Sequence, residues 1–132
     1  GLVDIPLIRT SEMYMTRAEA NYNLRNYTEA LDDLNLLRAK RYAGYEEGTE
    51  TGSALEKEIL LQRRLELAFE GHRFFDLKRR HEDVIRDDKG FLADGTGASS
   101  DALEVSADSP YYVLPIPQTE IDANENMIQN KY

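Results

Sequence analysis

Two stretches of helical apolar periodicity, separated by no more than Arg25 and Asn26, constrain this chain more than any other feature of its sequence. From Thr10 to Leu24 there is neither Pro nor Gly, and Met13, Tyr14, Met15, Ala18, Ala20, Tyr22 and Leu24 sweep a wide arc of a helical wheel. A narrow strip is left for Glu12, Thr16, Glu19 and Asn23, which predicts a core helix contacted on more than one side. Asn26 stands three residues before Glu29, the spacing of a capping box, so a second helix is expected to start there. Tyr27, Ala30, Leu31, Leu34 and Leu37 then recur at helical steps, with Glu29, Asp32 and Asp33 facing water near one end and Arg38, Lys40 and Arg41 near the other. That charge order suits the helix dipole. Helices joined by so short a turn have to pack antiparallel.

The rest of the chain extends this pair into a mainly α fold of one domain, as its 132 residues suggest. Tyr42 to Gly52 holds Gly44, Gly48 and Gly52 among acidic and hydroxyl residues and reads as an irregular connection. Ser53 and Glu56 form a second capping box, and Leu55, Ile59, Leu60, Leu61, Leu65, Leu67, Ala68 and Phe69 mark a long third helix. Phe74, Phe75 and Leu77 carry its pattern on to Arg80, with a bend expected at Gly71. This helical scaffold covers about residues 10–80. A loop follows over 81–112, with short strands expected near Phe91 and Leu103 to Val105, and the tail occupies 113–132. Tyr111 to Leu114 is a brief β-prone run, and a single helical turn is expected after Pro117.

Composition removes several classes of function. With 41% hydrophobic residues the chain can bury a core unaided, and with no cysteine it has no disulfide, zinc thiolate site or thiol nucleophile. No apolar run approaches the roughly 20 residues that span a bilayer. Twenty-five acidic side chains against 16 basic ones, a net charge of -9, argue against nucleic acid and anionic membranes as partners, because both are held by neutralising phosphate.

Few residues suggest chemistry. Arg63, Glu66, Glu70, Arg73 and Asp76 recur at three- and four-residue steps, which on a continuous helix puts them on one face. The interleaved arginines favour a structural ion ladder over paired catalytic carboxylates. A di-metal site would need Glu followed three residues later by His, and His72 lies two residues after Glu70 while His81 directly precedes Glu82. No metal and no cofactor is therefore expected. His72 and His81 suit packing or surface roles, and no Ser lies in a nucleophile elbow. Asp87, Asp88 and Gly90, then Asp94 and Gly95, look like fragments of calcium loops, but the alternating acids and closing Glu are missing. Of eight tyrosines, Tyr14, Tyr22 and Tyr27 fall on faces expected to be buried. Tyr42, Tyr45, Tyr111 and Tyr112 remain as surface platforms on which a sugar ring can stack, or as loop anchors.

Ala18 to Tyr27, followed by Ala30, Leu31 and Leu34, resembles one tetratricopeptide repeat; no second copy is visible, and a lone repeat cannot bury both its faces. Three blocks read together are more specific: Arg17 to Ala20 with Asn35 to Arg41, Arg63 to Arg79, and Pro115 to Asn124 with Gln129 and Asn130. Together they resemble the carboxyl-terminal region of the SusD/RagB family of outer-membrane nutrient-binding lipoproteins. The resemblance implies a non-enzymatic, surface-exposed glycan- or nutrient-binding protein. It would sit over a SusC-type TonB-dependent transporter, held to the membrane only by a lipid anchor in an earlier part of a longer chain. That earlier part would also carry much of the ligand pocket, so pocket residues are not carried over; this segment by itself is expected to be soluble. Under this reading the ladder fixes helix packing, with Glu70→Ala destabilising if Glu70 is buried, and Pro115 and Pro117 dock the tail. The ending Gln129-Asn130-Lys131-Tyr132 departs from the family's usual Gln-Asn-Pro-Gly-Tyr. The competing readings are a tetratricopeptide-like protein adaptor and, less naturally, a glycosidase using Glu66 and Glu70.

Overall fold

A computed structural model describes residues 8–86 and 104–131. The expected strand at Phe91, the calcium-like fragments Asp87, Asp88, Gly90, Asp94 and Gly95, and Leu103 and Tyr132 lie outside the described residues. The chain divides into two compact units, Gly1–His72 and Arg73–Tyr132.

The first unit is built on α1 (Thr10–Asn23), α2 (Tyr27–Arg41) and α3 (Gly52–Glu66). Helix α1 packs against both of the others. Met15 and Ala18 of α1, Ala30, Leu34 and Leu37 of α2, and Leu55 and Ile59 of α3 form one core, with Tyr14, Tyr22 and Leu31 packed on it. Of the periodic apolar residues of α2, Ala30, Leu34 and Leu37 are buried and Leu31 is partly so. The buried arc of α1 is narrower than expected, since Met13 and Leu24 are largely exposed and Met15, Ala18 and Glu19 are the fully buried residues. Three expectations about single residues are corrected: Tyr27 is 44% exposed, whereas Glu19 and Asp33, both expected to face water, are buried.

The tight α1–α2 turn closes without glycine. Arg25 adopts φ +66°, its N–H donates to the carbonyl of Tyr22, and the Asn26 N–H donates to that of Asn21. This 6→1 and 5→2 pairing satisfies the last carbonyls of α1. It also explains why Asn26 starts α2 without the expected capping box. Its backbone, bent to φ -84° and ψ 67° to close α1, is outside the extended conformation from which an N-cap side chain reaches the helix amides, and no side-chain cap bond forms. The second box does not form either: α3 is preceded by Thr51, whose side chain makes no cap bond, and Ser53 is already inside the first turn.

The third helix does not run on to Arg80. It stops at Glu66, and Leu67 to Gly71 form a break in which Phe69 (φ +66°) and Gly71 (φ +82°) both take left-handed backbone. A glycine that keeps helical backbone only bends a helix, whereas a left-handed residue past its end stops it, and here Phe69 and Gly71 both take that conformation. Arg63 and Glu66 therefore lie on α3, Glu70 in the break, and Arg73 and Asp76 on a separate helix, α4 (His72–Arg80). The five residues do not form one ladder on one helix face.

In the second unit, α4 buries Asp76 and Leu77 and ends as α1 does, on a left-handed non-glycine residue. His81 has φ +55°, with the Glu82 N–H donating to the Leu77 carbonyl. Two-residue strands β1 (Val84–Ile85) and β2 (Glu104–Val105) pair antiparallel, Val84 opposite Val105 and Ile85 opposite Glu104. The β-prone Tyr111–Leu114 run instead opens as a 3-10 turn over Pro110–Tyr112. Pro110 presets its φ, and the Ser109 hydroxyl accepts the Tyr111 N–H, a local start signal that outweighs the preference of the tyrosines for strand. Helix α5 (Gln118–Ala123) follows Pro117 as expected.

Candidate functional site

The irregular connection after α2 is held by side chains of the helices around it. Arg38 is 7% exposed and its guanidinium donates to Glu50 at 2.7 Å and to Glu58 of α3. Burial weakens the Arg38 cation, but its bonds to Glu50 and Tyr45 outweigh that and raise its pKa overall. The same guanidinium bond holds the Glu50 carboxylate below its ordinary pKa, against the opposing effect of burial. Asn35, one turn before Arg38, accepts the Tyr45 hydroxyl at 2.6 Å and the Gly48 N–H at 3.2 Å, and donates to the Gly48 carbonyl at 3.1 Å. Gly48 N–H also donates to the Tyr45 oxygen at 2.9 Å. The backbone of Gly48 passes so close that an added Cβ would overlap Glu50 Oε2 and stand 2.8 Å from Arg38 Nη1.

Two of the four candidate tyrosines lie on this connection. Tyr42 is 44% exposed, and its hydroxyl donates to Oε1 of the buried Gln62 at 3.0 Å. The Tyr45 ring lies 6.4 Å from that of Tyr42, inclined by 37°, and its hydroxyl is wholly engaged in the network just described. The other two candidates lie in the second unit. Tyr112 is 6% exposed, stacks on Phe74 with ring centroids 5.4 Å apart, and donates its hydroxyl to the Glu82 carbonyl at 2.6 Å. Its ring belongs to the core of that unit. Tyr111 is 72% exposed, the most open of the four.

The carboxylates singled out in the sequence meet arginines from outside the motif. Glu66, with a side chain 7% exposed, accepts a two-point bond from Arg41 at 2.7 and 2.6 Å and a further bond from Arg9 at 3.1 Å. The Arg41 bonds hold its pKa down to about 2 against the effect of burial, with Ser11 and Arg9 acting the same way. Glu70 shares Arg9 at 2.7 Å but its side chain is 37% exposed. Arg63 donates to the Thr16 hydroxyl at 3.0 Å, and Asp76 pairs with Arg79 at 2.9 Å. The buried Asp33 is held by a two-point bond from Arg17, at 2.8 and 2.6 Å, which ties α2 to α1. Glu66, clamped this way, is a poor general acid or base, because its ionised form is stabilised well below neutral pH.

Pro115 and Pro117 flank the one residue between them able to pair its backbone both ways, and the tail uses it. The Gln129 amide accepts the Ile116 N–H and donates to the Ile116 carbonyl, both at 2.9 Å, while Asn130 donates to the Leu114 carbonyl at 2.8 Å. A cleft of about 220 Å³, walled by Tyr14, Leu36 and Leu37 and edged by Lys40, lies between α1 and α2. Lys40 reads in the sequence as a partner of the helix dipole and nothing more. Among the described residues no group of three or more His, Asp and Glu side chains is arranged to hold a metal ion, and no helix is long and apolar enough to cross a membrane.

The fold of these helices is one that solved structures share. The chain belongs to the SusD family, whose family model matches residues 1–132. It is 35% identical to the starch-binding protein SusD of Bacteroides thetaiotaomicron, over 97% of this chain and 21% of the relative. A putative sugar-binding protein from Bacteroides vulgatus superposes with TM-score 0.74 at 38% identity, over 96% of this chain and 28% of its own. A SusD superfamily protein from Bacteroides thetaiotaomicron gives TM-score 0.79 at 32% identity, over 96% and 27%. The chain thus spans between 21% and 28% of the length of these three relatives.

Proposed function

We propose that the chain is part of a protein that binds glycans at the bacterial outer surface, leaves them chemically intact, and delivers them to a TonB-dependent outer-membrane transporter of the SusC type. The observation that carries this reading is the family match across residues 1–132, supported by relatives named as starch-binding and sugar-binding proteins. The chemistry of the chain is compatible with it. Its buried carboxylates Glu66 and Asp33 are locked to arginines, and what it presents to solvent is shape, aromatic rings and an acidic surface. A net charge of -9 fits an uncharged ligand better than a polyanion. Attachment to the outer membrane would come from a lipid on a longer form of the protein.

Two tests bear on the two halves of the proposal. Native gels cast with amylopectin, xylan, laminarin or mannan should retard the natural protein in at least one case without releasing reducing ends. Co-purification from the producing cells should recover a TonB-dependent transporter, and reproducible recovery of the protein alone would contradict delivery.

A further inference from the structure

We infer that Tyr42, backed by Tyr45, is a stacking platform for an uncharged pyranose, so that this segment makes its own contact with the glycan. The inference rests on the proposed glycan-binding function and adds to it a place and a mode of contact. Three observations support it.

The first is that Tyr42 is open where its surroundings are fixed. Its residue is 44% exposed, yet its hydroxyl is bonded to Gln62, which is 7% exposed. One end of the ring is therefore pinned to the scaffold while ring surface remains in solvent. At 6.4 Å and 37° the Tyr45 ring stands beside it rather than stacked on it face to face, so that surface is not sealed.

The second is that the platform is preorganised. Tyr45 is held by Asn35 and Gly48 and by the Arg38 guanidinium 6.0 Å above its ring. Arg38 is itself fixed between Glu50 and Glu58. An irregular loop pinned at this many points loses little freedom on binding, which is where loop-borne sites usually lose affinity.

The third is chemical. Both hydroxyls are already bonded to protein, so the pair offers flat apolar surface rather than hydrogen bonds, matching the C–H face of a sugar ring. The rim of the loop carries the exposed carboxylates of Glu46 and Glu47; Arg38, against the Tyr45 ring, is committed to Glu50 and Glu58, and Arg41, next to Tyr42 in sequence, is committed to Glu66. Such a rim repels uronates and sulfated sugars and leaves uncharged pyranoses as the class that fits.

The test uses the natural protein and whichever of amylopectin, xylan, laminarin or mannan retards it in native gels, with polygalacturonate as the charged comparison. Tyr42→Leu keeps apolar bulk but removes the flat ring, and should weaken binding about tenfold. Tyr42→Phe keeps the ring, loses only the bond to Gln62, and should stay within about threefold of wild type. Unchanged binding in Tyr42→Leu, equal losses in the two variants, or preference for polygalacturonate would overturn the platform while leaving glycan binding standing. Failure of the wild type to bind any of the neutral polysaccharides would overturn both.

Discussion

The two compact units of this chain are held together by different means. In the first, seven apolar side chains from three helices form a continuous core, and charges around it are matched, Arg17 with Asp33, Arg38 with both Glu50 and Glu58, and Arg9 and Arg41 with Glu66. In the second, Leu77 and Tyr112 are the buried apolar residues among those described. Much of the order there comes from side chains bonded to backbone: Tyr112 to Glu82, Asp83 to Ala107, Gln129 to Ile116 and Asn130 to Leu114. Apolar burial scales with area, so a single core side chain contributes on the order of several kcal/mol, whereas each side-chain-to-backbone bond contributes on the order of 1 kcal/mol and acts locally.

Substitutions should break the two units differently. The largest effect is expected at Leu34, fully buried in the first core: Leu34→Ala should cost about 2–5 kcal/mol in equilibrium unfolding. Next comes Glu66→Gln, which leaves Arg41 and Arg9 facing a neutral amide and should cost about 1–3 kcal/mol at pH 7. Because the folded pKa of Glu66 is lowered from 4.5 to about 2, its contribution is fully present above pH 4.5 and disappears as pH falls through 2. Melting curves of wild type and Glu66→Gln should therefore converge over that window, and a gap that keeps its full pH 7 size at pH 2 would show that the carboxylate charge is not the cause. Glu70→Ala, with a side chain 37% exposed, should cost less than about 1 kcal/mol, so the two acids of the motif separate by burial.

In the second unit, Gln129→Ala should cost about 1 kcal/mol and speed hydrogen exchange at the Ile116 amide while leaving the amides of α2 protected. The smallest effect has the opposite sign. Arg25→Gly relieves a left-handed non-glycine residue in the α1–α2 turn and should stabilise by about 0.5 kcal/mol once the freer unfolded chain is allowed for.

The same contrast explains what could be read from the sequence. The helices of the first unit were legible because their burial is periodic: Ala30, Leu34 and Leu37 are spaced as they are because one face of α2 meets α1 and α3. The partner of a buried charge was not, since Arg9 meets Glu66 across 57 positions and no local spacing encodes that. The same holds for Tyr45 and Asn35, joined across a loop whose course depends on a close approach at Gly48. The break before α4 is not legible because Gly71 alone predicts a bend, while Phe69, an aromatic residue with no turn signal, also takes left-handed backbone. Two-residue strands such as Val84–Ile85 carry no period at all. Family resemblance alone marks Gln129 and Asn130 in the sequence, and their physical role is to bond the backbone of Ile116 and Leu114 beside the two prolines.

The central claim, binding without chemistry, is tested most directly by titrating the natural protein calorimetrically with an oligosaccharide of the polysaccharide that retards it and then analysing the recovered sugar by chromatography. The account predicts saturable heat of binding and an oligosaccharide of unchanged length. Shortened products that accumulate with time and vanish in Glu66→Gln would contradict it.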